Sequence, residues 1–127
     1  MARLSLRIDL GPAGALGPGR VRLLEQIDML GSISAAARSM RMSYRRAWLH
    51  VDSMNRCFRR PVVDAKLGGK HGGGACLTPL GGEIIRHYRA MESEAYTALA
   101  KHLAALQAAT ATMESAKRRR ARPVGDG

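Results

Sequence analysis

The side chains best suited to chemistry lie in two short stretches. In the first, Ser43-Tyr44-Arg45-Arg46 sets two hydroxyls beside two guanidiniums. In the second, Lys70 and His71 stand among the glycines of 68–74, with Gly72 next in line. Guanidiniums and hydroxyls bind phosphate oxygens, and an arginine can grip the O6 and N7 edge of guanine with two N–H groups. Reading bases this way needs a carrier slim enough for a DNA major groove. Residues 32–46 (SISAAARSMRMSYRR) have the layout of one: a short alanine helix, a tight turn, and a second helix opening on arginine. Taken alone, the arginine pair could equally be the solvated end of a surface helix. Lys70 and His71 could meet phosphates or enter a minor groove, or could form a hairpin tip that touches nothing.

Competing chemistries fail on spacing. No GxxxxGK[ST] can be laid on residues 68–74, so the glycine loop is not a nucleotide-triphosphate cradle. The glycines of 11–19 follow a strand pattern and precede a helix, but Arg22 stands where a dinucleotide fingerprint needs its third glycine. The four histidines, His50, His71, His87 and His102, form no HExxH or Cys/His cluster, and neither a metal nor another cofactor is expected. Cys57 and Cys76 are far apart and form no CxxC; they read as small, buried or half-buried side chains. No nucleophile elbow or framed acid pair is present, and an enzyme is not expected.

The chain has 127 residues, enough for a single domain with a small core. Lys and Arg number 21 against 10 acidic residues, a formal net charge of +11. A field of that sign draws nucleic acid, an anionic membrane surface or an acidic partner. Arg3, Arg7 and Asp9 interrupt the first apolar stretch, which excludes a secretory signal there, and no apolar run is long enough for a bilayer. A cytoplasmic location is expected, with no membrane partner.

Several elements must position these groups. Leu4, Leu6, Ile8 and Leu10 alternate with Arg3, Ser5, Arg7 and Asp9, the period of a half-buried strand, and residues 11–19 then read as a loop. A helix is expected from Pro18 to Leu30 on Val21, Leu24, Ile27 and Leu30, stopped by Gly31. Ser32 or Ser34 caps the alanine helix to about Met40, and Ser43 caps the third helix to about Phe58. In that helix Ala47, Val51, Met54 and Phe58 should face the core, with Arg45, Leu49, Asp52 and Arg56 opposite. Residues 62–67 and 75–78 read as strands flanking the glycine loop. Pro79 then opens a long helix to about Leu106 with an apolar residue every three or four positions. Its first half packs on the core. The second half, with Tyr88, Met91, Ala95, Leu99 and Leu103 as the pairing residues, suits a partner helix from a second copy better than a solvated extension. The basic run Lys117–Arg122 reads as a disordered, solvated tail.

The motifs Gly31-Ser32-Ile33-Ser34, Ala36-Ala37, Met42-Ser43-Tyr44, Ala47-Trp48 and Met54-Asn55, then 68–75 (GGKHGGGA) and Leu77-Thr78-Pro79-Leu80-Gly81, resemble the DNA-binding domain of the molybdate-dependent regulator family ModE. LysR-type regulators are more distantly similar, sharing the serine-alanine helix and the Leu-Thr-x-x-Gly turn. The resemblance covers about 18–92 and implies a winged-helix dimer on a palindromic operator. It also implies base and phosphate contacts from residues 43–46, a phosphate contact from Ser34, a wing built around Lys70, and a chiefly packing role for Trp48. Molybdate sensing in that family belongs to a separate domain. This chain has an arginine-rich tail where that domain would begin, so no molybdate site is expected in it.

The expected fold is therefore mainly α with a little β: a winged helix-turn-helix with a two-stranded wing, an N-terminal strand and a long C-terminal dimerisation helix. Its segments are an N-terminal strand and loop (1–17), the DNA-binding domain (18–92), the helix extension (93–110) and the basic tail (111–127). The expected function is a homodimeric regulator of transcription that binds double-stranded DNA at an inverted repeat. A nonspecific nucleoid-type protein or a protein-interaction adaptor on the same fold is the alternative.

Overall fold

The computed structural model describes residues 2–66 and 74–120. Two compact units are present: Ser5–Glu94, and a second made of the described residues among Met1–Leu4 and Ala95–Gly127.

In the first unit, α1 (Pro18–Leu30), α2 (Ile33–Ser39) and α3 (Tyr44–Cys57) are followed by the antiparallel strands β3 (Val63–Lys66) and β4 (Gly74–Leu77) and by the start of α4 (Pro79–Ala98). This is a winged-helix-like arrangement. Local chemistry explains most boundaries. Pro18 takes the first turn of α1, where its missing N–H costs nothing. Gly31 ends α1 in the left-handed conformation (φ 74°), which a residue with a Cβ adopts only at a cost. The Gly31 carbonyl then accepts the Ala75 N–H at 2.8 Å, tying the end of α1 to β4. Ser32 and Ser43 cap α2 and α3 through their hydroxyl oxygens, which accept the Ala35 and Arg46 N–H groups.

The core gathers Val21, Leu23, Leu24 and Ile27 of α1, Ala36 and Ala37 of α2, Ala47, Val51 and Met54 of α3, Val62, Val63 and Ala75 around the strands, and Ile84 and Tyr88 of α4. The alanines let α2 approach its neighbours closely. Leu30, expected in the core stripe, is exposed, because α1 ends there and turns away at Gly31. Leu23 takes a core place instead. Phe58 is only partly buried, lying just past the end of α3. Cys57 and Cys76 are free and half-buried.

The N-terminal strand is shorter than its alternation suggested. Only β1 (Ile8–Asp9) pairs, with β2 (Ala15–Leu16), in a hairpin closed by a 3-10 turn at Gly11–Ala13. The segment 11–19 is thus not all loop. Leu4, Leu6 and Ile8 still turn inward and Arg3, Ser5 and Arg7 outward. The Leu6 carbonyl is bound by the Tyr88 hydroxyl at 2.8 Å rather than by a strand.

The Thr78-Pro79-x-Gly81 turn joins β4 to α4. Thr78 Oγ1 accepts the Gly81 N–H, and the Thr78 hydroxyl donates to the Pro61 carbonyl at 2.7 Å. Gly81 is required because a Cβ there would collide with the Val62 carbonyl. Arg89 on α4 grips both carboxylate oxygens of Glu25 on α1, and also bonds Glu92. These carboxylates raise its already high pKa further.

In the second unit Tyr96 reaches the backbone of Leu4. The expected single helix to Leu106 is divided at Leu99 into α4 and α5 (Ala100–Ala109), although the Leu99 and Leu103 N–H groups keep their i−4 bonds. Thr110 ends α5. The basic stretch differs from the solvated coil expected: α6 (Met113–Arg120) is helical. Thr112 and Ser115 cap it reciprocally, each hydroxyl accepting the other's N–H at 3.0 Å. Glu114 sits in its first turn and four cations in its last, matching the helix dipole.

Candidate nucleic-acid interface

The α3 helix is built to show one face. Ala47, Val51 and Met54 are held in the core, so Tyr44, Arg45, Trp48 and Leu49 project from the other side. Tyr44 is 55% exposed, Trp48 46% and Leu49 48%. Trp48 thus departs from the packing role expected of it. Position 48 lies one step off the buried stripe of Ala47, Val51 and Met54. Arg45 and Arg46 are also exposed. Ser43 spends its acceptor on the helix cap, although its exposed hydroxyl keeps a hydrogen to donate. Farther along, Asp52 pairs with Arg56 at 2.9 Å, so the uncompensated positive charge is confined to the entry of the helix.

Ser34 is exposed at the second position of α2, where its hydroxyl accepts from Arg38 at 3.3 Å. The turn into α3 carries a backbone oddity. Arg41 has φ 55°, and the Met42 and Arg41 N–H groups close a Schellman pair on the Ala37 and Arg38 carbonyls. Glycine is the usual occupant of that position. Lys70, His71 and Gly72 lie outside the described residues; the flanking ladder pairs Lys66 with Gly74 and Val63 with Leu77. Asn55, on the inner flank of α3, holds the ladder in place by accepting the Val62 and Val63 N–H groups and donating to the Val63 carbonyl.

Two residues escaped the sequence reading. Arg20 at the start of α1 donates through Nε to His50 Nδ1 at 3.2 Å, and through Nη1 to the Ala15 carbonyl at 3.0 Å. Burial, and after it Arg20 and Arg46, push the His50 pKa below its ordinary value, so the ring is neutral near pH 7. Positions 20 and 50 are thirty apart and share no motif, so no local pattern could have joined them.

Of the pairing residues, Met91 and Leu99 are each 39% exposed, while Ala95 and Leu103 are half-buried. Tyr88 does not belong with them. It is fully buried in the chain's own core, its hydroxyl committed to Leu6. Among the described residues, no helix is long and apolar enough to cross a membrane, and no three His, Cys, Asp or Glu side chains cluster as metal ligands.

The first unit is thus winged-helix-like, with one side of its third helix buried and the other exposed and basic at its entry. The chain's relatives include regulators of transcription. The chain is 44% identical over 99 residues to the molybdenum transport protein ModE of Azotobacter vinelandii, covering 78% of this chain and 36% of that one. It is 41% identical over 87 residues to the DNA-binding transcriptional dual regulator ModE of Escherichia coli K12, covering 68% and 33%. To the molybdenum-pterin-binding protein MopB of Rhodobacter capsulatus it is 51% identical over 78 residues, covering 61% and 29%. No family model matches. On these matches the chain is ModE-like, and it spans about a third of the length of the curated relatives it matches. They speak for the ModE side of the resemblance; the LysR-type link rests on the shared motifs alone. These relatives carry the names of a molybdenum transport protein, a transcriptional regulator and a molybdenum-pterin-binding protein.

Proposed function

We propose that this chain is a sequence-specific DNA-binding regulator of transcription that acts as a homodimer on an inverted-repeat operator. The observation that carries the reading is the exposed face of α3, where Tyr44, Arg45 and Trp48 stand clear of a helix whose other side is locked in the core. Arg45 supplies bidentate contact to guanine, worth roughly 1–3 kcal/mol of discrimination. Tyr44 and Trp48 add apolar surface for thymine methyl groups. Ser34, Ser43 and Arg46 serve phosphates, and Lys70, His71 and Gly72 add further contacts to the duplex. Met91, Ala95, Leu99 and Leu103 pair the two copies, setting their reading helices about 34 Å apart, one DNA turn. The molybdenum-pterin in the MopB name stays with that protein; no molybdate site is proposed here.

Selection of bound sequences from a random duplex pool at fixed salt tests the reading. An enriched inverted repeat with half-sites one turn apart supports it. Binding without an enriched sequence would make the chain a nonspecific nucleic-acid binder, whose affinity follows its net charge and the salt concentration. Absence of duplex binding would favour an adaptor.

A further inference from the structure

Beside α3, and sharing Arg46 with the residues proposed to meet DNA phosphates, the first unit carries an open cleft of about 740 Å³. Its walls come from the N-terminal segment (Arg7, Asp9), the start of α1 (Gly19, Arg20) and α3 (Arg46, His50). We propose that this cleft is a binding site for a phosphate group, held by Arg20, Arg46 and His50.

The charge balance points that way. Arg7 is neutralised by Asp9 at 3.0 Å, but among the described residues neither Arg20 nor Arg46 has a carboxylate within ion-pair distance. Two guanidiniums therefore line one concavity with no carboxylate partner among the described residues, which gives it a positive field that attracts an anion. Arg20 is also not a loose surface side chain. Its Nε and Nη1 are held by neutral partners, His50 and the Ala15 carbonyl, which fixes the group while leaving Nη2 to donate. Because His50 accepts at Nδ1, its own proton is on Nε2, a third donor.

The rim suits a close ligand. Gly11 and Gly19 have open space where a Cβ would stand, and the cap residue of α1, Gly17, offers no side-chain acceptor to the first-turn amides. An arginine held in place, as Arg20 is, binds phosphate oxygens through paired N–H groups, and a neutral imidazole adds a donor without adding repulsion. The cleft exceeds the needs of a bare ion. A phosphate esterified to a sugar fits its size, whether carried by a duplex backbone or by a free small molecule.

The test uses the whole chain and NMR. Inorganic phosphate, against chloride at equal ionic strength, should shift the Gly19 and Arg20 amides and the His50 ring protons along a saturating curve. Arg46→Gln should weaken that binding at least tenfold. This variant is safe for folding because the α3 cap uses the Arg46 backbone N–H, not its side chain. Arg20→Gln should do the same, with circular dichroism reporting its fold. If phosphate is silent but duplex DNA shifts the same resonances, and each variant lowers the salt slope by about one, the site stands and its ligand is the DNA backbone. If phosphate binds and no duplex does, the site stands and the regulator reading fails. Shifts that chloride reproduces, or that survive both substitutions, would overturn the proposal.

Discussion

Asn55 pairs with both backbone groups of Val63: its Oδ1 accepts the Val63 N–H at 3.1 Å, and its Nδ2 donates to the Val63 carbonyl at 3.2 Å. The same Oδ1 takes the N–H of the fully buried Val62 at 2.8 Å. One side chain of α3 thus stands in for a neighbouring strand and sets where β3 begins. Replacing it with alanine leaves two backbone N–H groups without an acceptor in a half-buried place. Asn55→Ala should cost about 1–3 kcal/mol in a urea unfolding curve. Asn55→Asp, which keeps the acceptor and loses the donor, should cost less.

Two adjacent glycines of α4 should respond in opposite directions. A Cβ on Gly81 meets the Val62 carbonyl, whereas one on Gly82 meets only the far end of the Arg86 side chain. Gly81→Ala should destabilise by about 1–3 kcal/mol through overpacking. Gly82→Ala should stabilise by about 0.5–1 kcal/mol, because alanine loses less backbone entropy in a helix. Thermal midpoints of the two variants against the parent check both signs.

Arg41 occupies the left-handed position that ends α2, at φ 55°. Removing its Cβ relieves a strain of roughly 1–2 kcal/mol, partly offset by the greater freedom of glycine in the unfolded chain. Arg41→Gly should therefore unfold at higher denaturant concentration than the parent, and a lower midpoint would refute the strain.

His50 should make stability depend on pH. Its folded pKa lies below the unfolded value, through burial first and then Arg20 and Arg46, so the unfolded chain takes up the proton more readily. The contribution is full above the ordinary histidine range near 6.5 and is lost as pH falls through the lowered folded value. Unfolding free energy measured from pH 8 to pH 5 should fall, and His50→Gln should flatten this part of the profile.

If α3 reads DNA, Arg45→Ala should bring operator affinity close to that for random duplex, whereas Lys70→Ala should weaken both alike and reduce the salt slope by about one. Trp48 is the chain's one tryptophan and is exposed on the proposed reading face. Its fluorescence should change when duplex is added. Unchanged emission at saturating operator would place the contact elsewhere.

Elements whose start and stop are local events were legible in the chain. Ser32 and Ser43 cap helices, Gly31 ends one, Thr78-Pro79 opens another, and two short apolar runs pair as β3 and β4. The arginine entry of α3 was legible for the same reason: its exposure follows from the buried periodicity of Ala47, Val51 and Met54. The helical start of the basic tail was hidden by its charge, although its cause, the Thr112–Ser115 capping pair, is local too.

What tertiary structure alone decided involves residues far apart in the chain. The Leu6 carbonyl drew Tyr88 into the core and away from any partner helix. Gathering of α1 and α3 into one core brought Arg20 to His50 across thirty residues and left two guanidiniums facing one cleft. A residue's own sequence neighbours determine its helix cap and its buried stripe. Only the packed chain determines which distant carbonyl, ring or charge it finally meets.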